Sequence, residues 1–460
     1  LSPTAFSSLK LHPSLLKNLS SLDYHAMTPI QAQSLPYILE GKDVIAQGKT
    51  GSGKTAAFGL GLLDKLNVKQ FHIQTLVLCP TRELADQVAK EIRKLARLIH
   101  NIKVLTLCGG MPFGPQVGSL EHGAHIIVGT PGRIEDHLRK GTLKLNRVNT
   151  LVLDEADRML EMGFQEALDA IIEQMPRQRQ TLLFSATFPD EIEYIAEQIM
   201  INPQRVEVDV SHDDSSIEQH VYKLDDDSQR LTAVRLLLLY HRPESAVVFC
   251  NTKIETQDVA DELADHGFSA IALHGDLEQR DRDQTLVRFA NKSASVLVAT
   301  DVAARGLDID NLDAVINYHV SRDAEMHVHR VGRTGRAGSK GLACTLYSEK
   351  ESRKIARLEA YLEQTINIES LPSSSLLKSP PYSPPMTTLQ IDGGKRQKVR
   401  PGDILGALTG ENGIAGKDVG KIHIFNNFAY VAVKRAVTRT ALEKLGKGKL
   451  KGRSFRVRKI

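Results

Sequence analysis

Two short stretches hold residues whose types and spacing suit chemistry on phosphates. Gly48-Lys49-Thr50-Gly51-Ser52-Gly53-Lys54-Thr55 fits G-x-x-x-x-G-K-[ST]. Its glycines let the backbone curl with N–H groups pointing inward, and a helix beginning there adds positive potential. Gly51, Ser52 and Gly53 would form the cradle, Lys54 would reach the β- and γ-phosphates, and Thr55 would set its hydroxyl on Mg²⁺. The second stretch, Asp154-Glu155-Ala156-Asp157, follows the apolar run Leu151-Val152-Leu153. Open parallel sheets place their sites at the carboxyl ends of strands. There Asp154 would hold Mg²⁺ through water, and Glu155 would orient and deprotonate an attacking water. An acidic quartet alone can simply favour a helix start. Behind a phosphate cradle it becomes a hydrolytic pair.

A third stretch, His329 to Arg336, spaces Arg330, Arg333 and Arg336 three apart, on one face if the segment is helical. No G-K-[ST] occurs in that half of the chain. Arginines without a cradle suit fingers delivered to a γ-phosphate held elsewhere, which can supply about 10³–10⁵ in rate.

These residues need elements to position them. An apolar run, Asp43 to Gln47, precedes the glycine loop, and a helical pattern from Lys54 through Leu63 follows it. Buried strands are predicted at Gln74–Cys79, Val104–Leu107, His125–Val128, Thr150–Leu153 and Thr181–Phe184, with helical patterns between them. Alternation of this kind predicts a parallel sheet covered on both faces. A second series follows, with strands at Ala246–Cys250, Ser269–Leu273, Ser295–Val298 and Ala314–Asn317. The polar join from Val208 to Asp227 separates the two. Residues 369–385, rich in Ser and Pro, read as a linker. The remainder reads β-α-β-β-α-β, the ferredoxin-like order shared by RNA-recognition motifs. The expected fold class is α/β: two tandem parallel-sheet domains, 1–207 and 215–368, plus an α+β domain at 386–460.

Composition is that of a water-soluble protein, 25% charged and 41% hydrophobic over 460 residues. No run approaches about 18 apolar residues, so no membrane span is expected. Leu1 to Phe6 lack a basic-then-apolar signal layout. Cys79, Cys108, Cys250 and Cys344 are far apart and read as reduced, packed thiols of a cytosolic protein. Net charge is +4 but uneven: residues 386–460 hold 17 basic and 5 acidic residues, or +12, leaving −8 on the rest. A basic module on an acidic body suggests a polyanion-binding tail.

Taken in order, several segments resemble the DEAD-box RNA helicases. They are Gln31, Gly48–Thr55, Pro80–Ala85, Gly109-Gly110, Thr130–Arg133, Asp154–Asp157, Ser185–Thr187, Gln279–Arg282, Ala299–Asp308 and His329–Arg336. The resemblance covers about residues 6–365 and implies two RecA-like domains forming an RNA-dependent ATPase that uses ATP and Mg²⁺. By that likeness Gln31 reads adenine, with Phe6 and Tyr24 shaping its pocket, and Asp308 contacts the ribose. Arg333 and Arg336 are γ-phosphate fingers, and Ser185 and Thr187 couple hydrolysis to strand separation. Arg82, Gly110, Thr130, Arg133, Arg282, Thr300 and Arg305 hold the RNA backbone.

The C-terminal module resembles that of a bacterial DEAD-box subfamily acting on large-subunit ribosomal RNA. Ile391–Gly394, Arg400–Gly410 and Val419–Ile422 carry the likeness. It implies a 23S rRNA hairpin with its adjacent duplex, in pre-50S ribosomal particles, as partner. Phe428 and Tyr430 are candidates to stack bases, although Asn426-Asn427 replace the usual basic residue and glycine and Gln390 replaces an aromatic. Lys447, Lys449, Lys451 and Arg453, with Arg456 and Arg458, offer a basic alternative. Two rivals to an RNA helicase are a DNA translocase on the same core and an RNA-binding assembly factor that barely hydrolyses ATP.

Overall fold

The computed structural model describes residues 4–48, 51–208, 217–304, 312–335 and 340–460. Two compact units divide the chain near residue 211.

The first unit opens with helices α1 (Pro13–Ser21) and α2 (Pro29–Leu39). Each starts on a proline, whose fixed φ suits the first turn. Strand β1 (Val44–Gln47), α3 (Lys54–Lys65), β2 (Thr75–Leu78), α4 (Arg82–Leu95), β3 (Val104–Leu107) and α5 (Phe113–Glu121) follow. Then come β4 (Ile126–Gly129), α6 (Pro131–Arg139), β5 (Thr150–Asp154), α7 (Ala156–Glu161), α8 (Gln165–Glu173), β6 (Gln180–Ser185), α9 (Asp190–Ile199) and β7 (Gln204–Glu207). All pairings are parallel, in the order β3-β4-β2-β5-β6-β1-β7. Successive side chains of a strand point to opposite faces. Ala46, Val77, Val152, Leu182 and Phe184 accordingly enter one core with Leu15, Ile30, Phe58 and Val88. Ile45, Leu76, Leu151, Leu153 and Leu183 enter the other with Ile134, Met159, Leu168 and Ile192. Burial of each large apolar chain contributes about 1.5–3 kcal/mol, and both faces are filled, so the strands read as continuous apolar runs.

The second unit repeats this plan. Its elements are β8 (Ile217–Leu224), α10 (Arg230–His241), β9 (Ala246–Cys250), α11 (Lys253–Asp265), β10 (Ala270–Leu273), α12 (Gln279–Ala290), β11 (Val296–Thr300) and α13 (Asp301–Ala304). They continue with β12 (Ala314–Asn317), α14 (Ala324–Val331), β13 (Gly341–Ser348), α15 (Ser352–Leu362) and β14 (Ile368–Glu369). The parallel order is β10-β11-β9-β12-β13-β8-β14. Strand β8 lies within the stretch the sequence offered as a join. It is half exposed, with polar residues between its apolar ones, so its pattern is that of a loop until β13 and β14 flank it.

The Ser- and Pro-rich linker is packed as a strap. Leu371, Leu376 and Leu377 lie against the core beneath α10, and Arg242 Nη1 donates to Pro380 O at 3.1 Å. Three leucines among serines and prolines suffice to hold a segment whose composition alone suggests a flexible tether.

The module after the strap runs β15 (Met386–Ile391), α16 (Pro401–Thr409), β16 (Val419–Ile424), β17 (Ala429–Lys434), α17 (Thr438–Lys447) and β18 (Val457–Lys459). Its antiparallel sheet has the order β16-β17-β15-β18. Leu389, Ile391, Val431 and Val433 face the two helices. Thr388 Oγ1 on the other face accepts from Asn291 Nδ2 at 3.1 Å and lies 2.7 Å from Ser293 Oγ, while His423 Nε2 is 3.1 Å from Asn291 Oδ1. The residues after α12 thus seal part of the sheet.

The four cysteines are free and buried, as the sequence suggested. Burial pushes the thiols of Cys108 and Cys344 up to about 12, so they stay protonated and inert.

Candidate active site

Sheet order decides which loops meet. Strands β5, β6 and β1 are neighbours, so their carboxyl ends present Asp154, Ser185 and Gly48 side by side. Gly48 N donates to Ser185 O at 3.0 Å, joining the phosphate loop to the Ser185–Thr187 segment. Gly51 and Gly53 have φ of 83° and 93°, a backbone that favours glycine. A side chain at 53 would also overlap the Gln31 amide. Lys54 starts α3, is buried, and donates from Nζ to Gly48 O at 2.7 Å, across the mouth of the loop. The Ser52 hydroxyl is buried without a hydrogen-bond partner, a group waiting for an acceptor or a donor.

Asp154 ends β5 inside the protein, and Glu155 follows with φ of 53°, in the left-handed region where glutamate rarely sits. That turn aims consecutive carboxylates differently. Burial pushes the Asp154 carboxyl up to about 7, against the pull of Lys54 and with the help of Glu155. The Asp154 carboxylate and the Thr55 hydroxyl next to Lys54 are hard oxygen donors of the kind that fit Mg²⁺. Asp157, which the sequence reading left without a role, links the acidic turn to the next loop. Its Oδ2 accepts from Thr187 N at 3.1 Å and Thr187 Oγ1 at 3.0 Å, and its backbone N donates to Ser185 Oγ at 3.3 Å. The signal was the fourth position of the Asp154–Asp157 quartet itself.

Gln31 is engaged at both ends. Its Oε1 accepts from Thr28 N, and its Nε2 donates to Gly53 O, each at 3.0 Å, so it ties the start of α2 to the loop. Tyr24 donates to Glu91 Oε1 at 3.0 Å beneath Lys94, and Phe6 is buried in the adjacent core.

Four of the expected RNA-backbone residues converge on one loop, Gly109–Met111. They follow β2, β3 and β4, which are neighbours at the sheet edge. Arg82 lies against Gly110 so closely that any side chain there would overlap its guanidinium, and Arg82 Nη1 is buried without a hydrogen-bond partner. Thr130 Oγ1 accepts from Gly109 N at 3.4 Å, and Arg133 Nη1 donates to Met111 O at 2.9 Å. In the second unit Arg282 Nη2 donates to Ala303 O at 2.9 Å, and Thr300 Oγ1 accepts from Ala303 N at 3.3 Å, so both brace α13. Arg305, Asp308 and Arg336 lie outside the described residues.

The arginine stretch departs from the expected single face. Helix α14 ends at Val331, with Gly332 as its C-cap, so Arg333 sits in the turn beyond. Arg330 is 2% exposed and grips Asp301 with two bonds, Nε to Oδ1 at 2.6 Å and Nη2 to Oδ2 at 2.7 Å. It is a buried brace and cannot act as a finger.

Stacking on Tyr430 is not available in this arrangement. Its ring is 1% exposed, and Phe428 lies under Arg280 of α12 at 4.8 Å. The pattern of β17 shows which residues share a face, and only the packed neighbour shows that the face is covered. Lys447, Lys449, Lys451 and Arg453 are exposed in and after the end of α17, held there by buried Leu450. Lys451 reaches Asp403 at 3.5 Å.

Comparison with known proteins agrees with this geometry. Residues 28–195 match the family model for the DEAD/DEAH box helicase, 229–338 the helicase conserved C-terminal domain, and 388–459 the DbpA RNA binding domain. The chain is 54% identical over 456 residues to the ATP-dependent RNA helicase DbpA of Escherichia coli, covering 99% of each. To the protein of the same name in Bacillus subtilis it is 36% identical over 474 residues, again covering 99% of each. Among solved structures it resembles Saccharomyces cerevisiae Dbp5 bound to RNA and ADP BeF3, with a TM-score of 0.72 and 29% identity, over 82% of this chain and 99% of that one.

Proposed function

This chain belongs to the DEAD-box ATP-dependent RNA helicases of the DbpA type, and from that premise we propose how its residues perform RNA-dependent ATP hydrolysis and which RNA it serves. The observation that carries the chemistry is the junction of β1, β5 and β6, where the loop of Lys54, the acidic turn and the Ser185–Thr187 segment are hydrogen-bonded together. The backbone of Gly51 to Gly53 and Lys54 hold the phosphates, with Gln31, Phe6, Tyr24 and Asp308 around the nucleoside. Mg²⁺, held by Thr55 and through water by Asp154, would neutralise developing phosphate charge. Glu155 orients the attacking water and takes its proton. Arg333 and Arg336 stabilise charge on the γ-phosphate.

Hydrolysis reaches RNA through Asp157. Loss of the γ-phosphate alters the acidic turn, Asp157 passes the change to Thr187 and Ser185, and Arg82, Gly110, Thr130 and Arg133 alter their hold on the RNA backbone. Arg282, Thr300 and Arg305 do the same from the second domain. Contacts to phosphates and sugars make this grip independent of sequence. Selectivity belongs to the basic module, whose match to the DbpA RNA binding domain supports a 23S rRNA hairpin in pre-50S particles as its target. No helix among the described residues is long and apolar enough to cross a membrane, and a cytoplasmic site of action fits the four reduced thiols.

Glu155→Gln tests the chemistry. ATP binding should be retained while RNA-stimulated turnover falls about 10²–10⁴-fold, the contribution of a general base. Turnover near the parent rate would refute the assignment. An ATPase panel of 23S rRNA fragments, generic RNA and DNA separates this reading from a DNA translocase.

A further inference from the structure

His319 follows β12 and sets its imidazole between carboxylates of two different elements. Its Nε2 is 2.6 Å from Glu255 Oε1 of α11, and its Nδ1 is 3.7 Å from Glu351 Oε1 in the turn before α15. Only the imidazolium places a proton on both nitrogens, one toward each carboxylate. From this cluster two paths lead to Arg330. His319 O accepts from Arg330 Nη1 at 3.1 Å. Glu255 Oε2 accepts from Asn251 N at 3.2 Å, and Asn251 Oδ1 accepts from Arg330 Nη2 at 3.5 Å. Arg330 O in turn accepts from Arg333 N at 3.1 Å.

We propose that His319, clamped as a cation between Glu255 and Glu351, is a positioning residue for the Arg330–Arg333 turn. It fixes one carbonyl that holds Arg330 and, through Glu255, the Asn251 amide that holds it from the other side. The proposal rests on the reading that Arg333 acts on the γ-phosphate, and it adds a residue of the second domain that acts on Arg333 through Arg330.

The surrounding charges favour the cation. Arg230 of α10 opposes it but is itself bound to Glu351 Oε2 at 2.6 Å and to Asp227 at 2.9 Å. Lys354 of α15 sits 3.2 Å from Glu351 Oε1, and Arg330 of α14 is neutralised by Asp301. Burial works against the imidazolium, but the hydrogen bond to Glu255 and the nearby Glu351 carboxylate outweigh it and raise its pKa above the usual histidine value. The clamp is therefore charged below that raised pKa and loosens as pH rises through it.

The test uses the full chain, with RNA-stimulated ATP turnover followed from pH 6 to 9 for the parent and His319→Gln. We expect kcat of the variant to fall about tenfold at pH 6 with KM for ATP within about twofold, as for loss of an interaction made in the transition state. The deficit should shrink toward pH 9, where the parent has lost its proton and the variant has none to lose. Glu255→Gln should give a similar deficit, and the double variant should be no worse than either single, as for members of one network. A deficit that is the same at every pH, or additive effects, would overturn the proposal. A histidine-selective NMR titration of the full chain keeps the clamp testable if His319→Gln unfolds. The His319 pKa should lie above the ordinary value and drop in Glu255→Gln, and an ordinary or low value would overturn it. Arg333→Ala with unchanged turnover would instead refute the finger reading alone, leaving the titration to judge the clamp.

Discussion

At the scale of single residues, Asp157 ties the acidic turn to the Ser185–Thr187 segment. One of its carboxylate oxygens takes both donors of Thr187, while its backbone N–H reaches Ser185. Asparagine keeps the shape but can present a donor where the Thr187 hydroxyl needs an acceptor. We expect Asp157→Asn to leave RNA-stimulated ATP turnover within about fivefold while duplex unwinding falls at least about tenfold, a coupling loss of the usual 1–3 kcal/mol. Parallel loss of both activities would place Asp157 in the hydrolytic step. Glu155 stood out in the sequence as a candidate base from its place after an apolar strand. Its left-handed backbone, which separates its direction from that of Asp154, did not, because nothing in an acidic quartet marks one member for a positive φ.

At the scale of elements, α10, β13 and α15 are joined by a buried ion-pair network. Arg230, 2% exposed, binds Asp227 and Glu351 and donates to Leu346 O at 3.4 Å. Burial alone would raise the Glu351 carboxyl, but His319 and Arg230 outweigh it and hold it at about 2. A carboxylate depressed in the folded state gives stability that is present above its ordinary value near 4.5 and is lost as pH falls toward 2. Acid unfolding of the second unit should therefore steepen across that window. Glu351→Gln should flatten it and cost about 3 kcal/mol at neutral pH, because removing one partner leaves Arg230 buried and underpaired. Chemical denaturation at pH 3 and pH 7 checks both statements, and an unchanged pH slope would remove Glu351 from the account. The same scale explains β8 and the strap: a half-exposed strand and a Ser/Pro segment carry weak patterns, and their neighbours supply what holds them.

At the scale of the whole molecule, charge is divided, +12 on residues 386–460 against −8 elsewhere. Attraction to a polyanion is then concentrated in the module, where counterion release makes binding steeply salt-dependent. With Tyr430 covered, the exposed Lys447, Lys449 and Arg453 are the residues we propose for RNA contact. We expect the full-length triple alanine variant to lose its preference for 23S rRNA fragments over generic RNA and to reduce the salt slope of binding by about 2 to 3, near 0.7–0.9 per phosphate contact. Basal ATPase on generic RNA should persist. If Phe428→Ala rather than the triple variant removed the preference, the sheet face would be the RNA surface after all.

Strand periodicity, the glycine loop and the acidic turn were determined by sequence alone. They are local: buried parallel strands must be apolar on both faces, and a phosphate cradle needs glycines, a lysine and a helix start within eight positions. The basic module was legible for a similar reason, since charge is additive along the chain. Tertiary structure decided the rest. It made β5, β6 and β1 neighbours and so joined Gly48 to Ser185 and Asp157 to Thr187. It buried Arg330 on Asp301 instead of aligning it with Arg333, and it closed a sheet face over Tyr430. Each of these outcomes depends on which residue lies opposite across a sheet or a packed helix. That is fixed by strand order and burial, quantities that belong to pairs of residues distant in sequence and that no single stretch of the chain can encode.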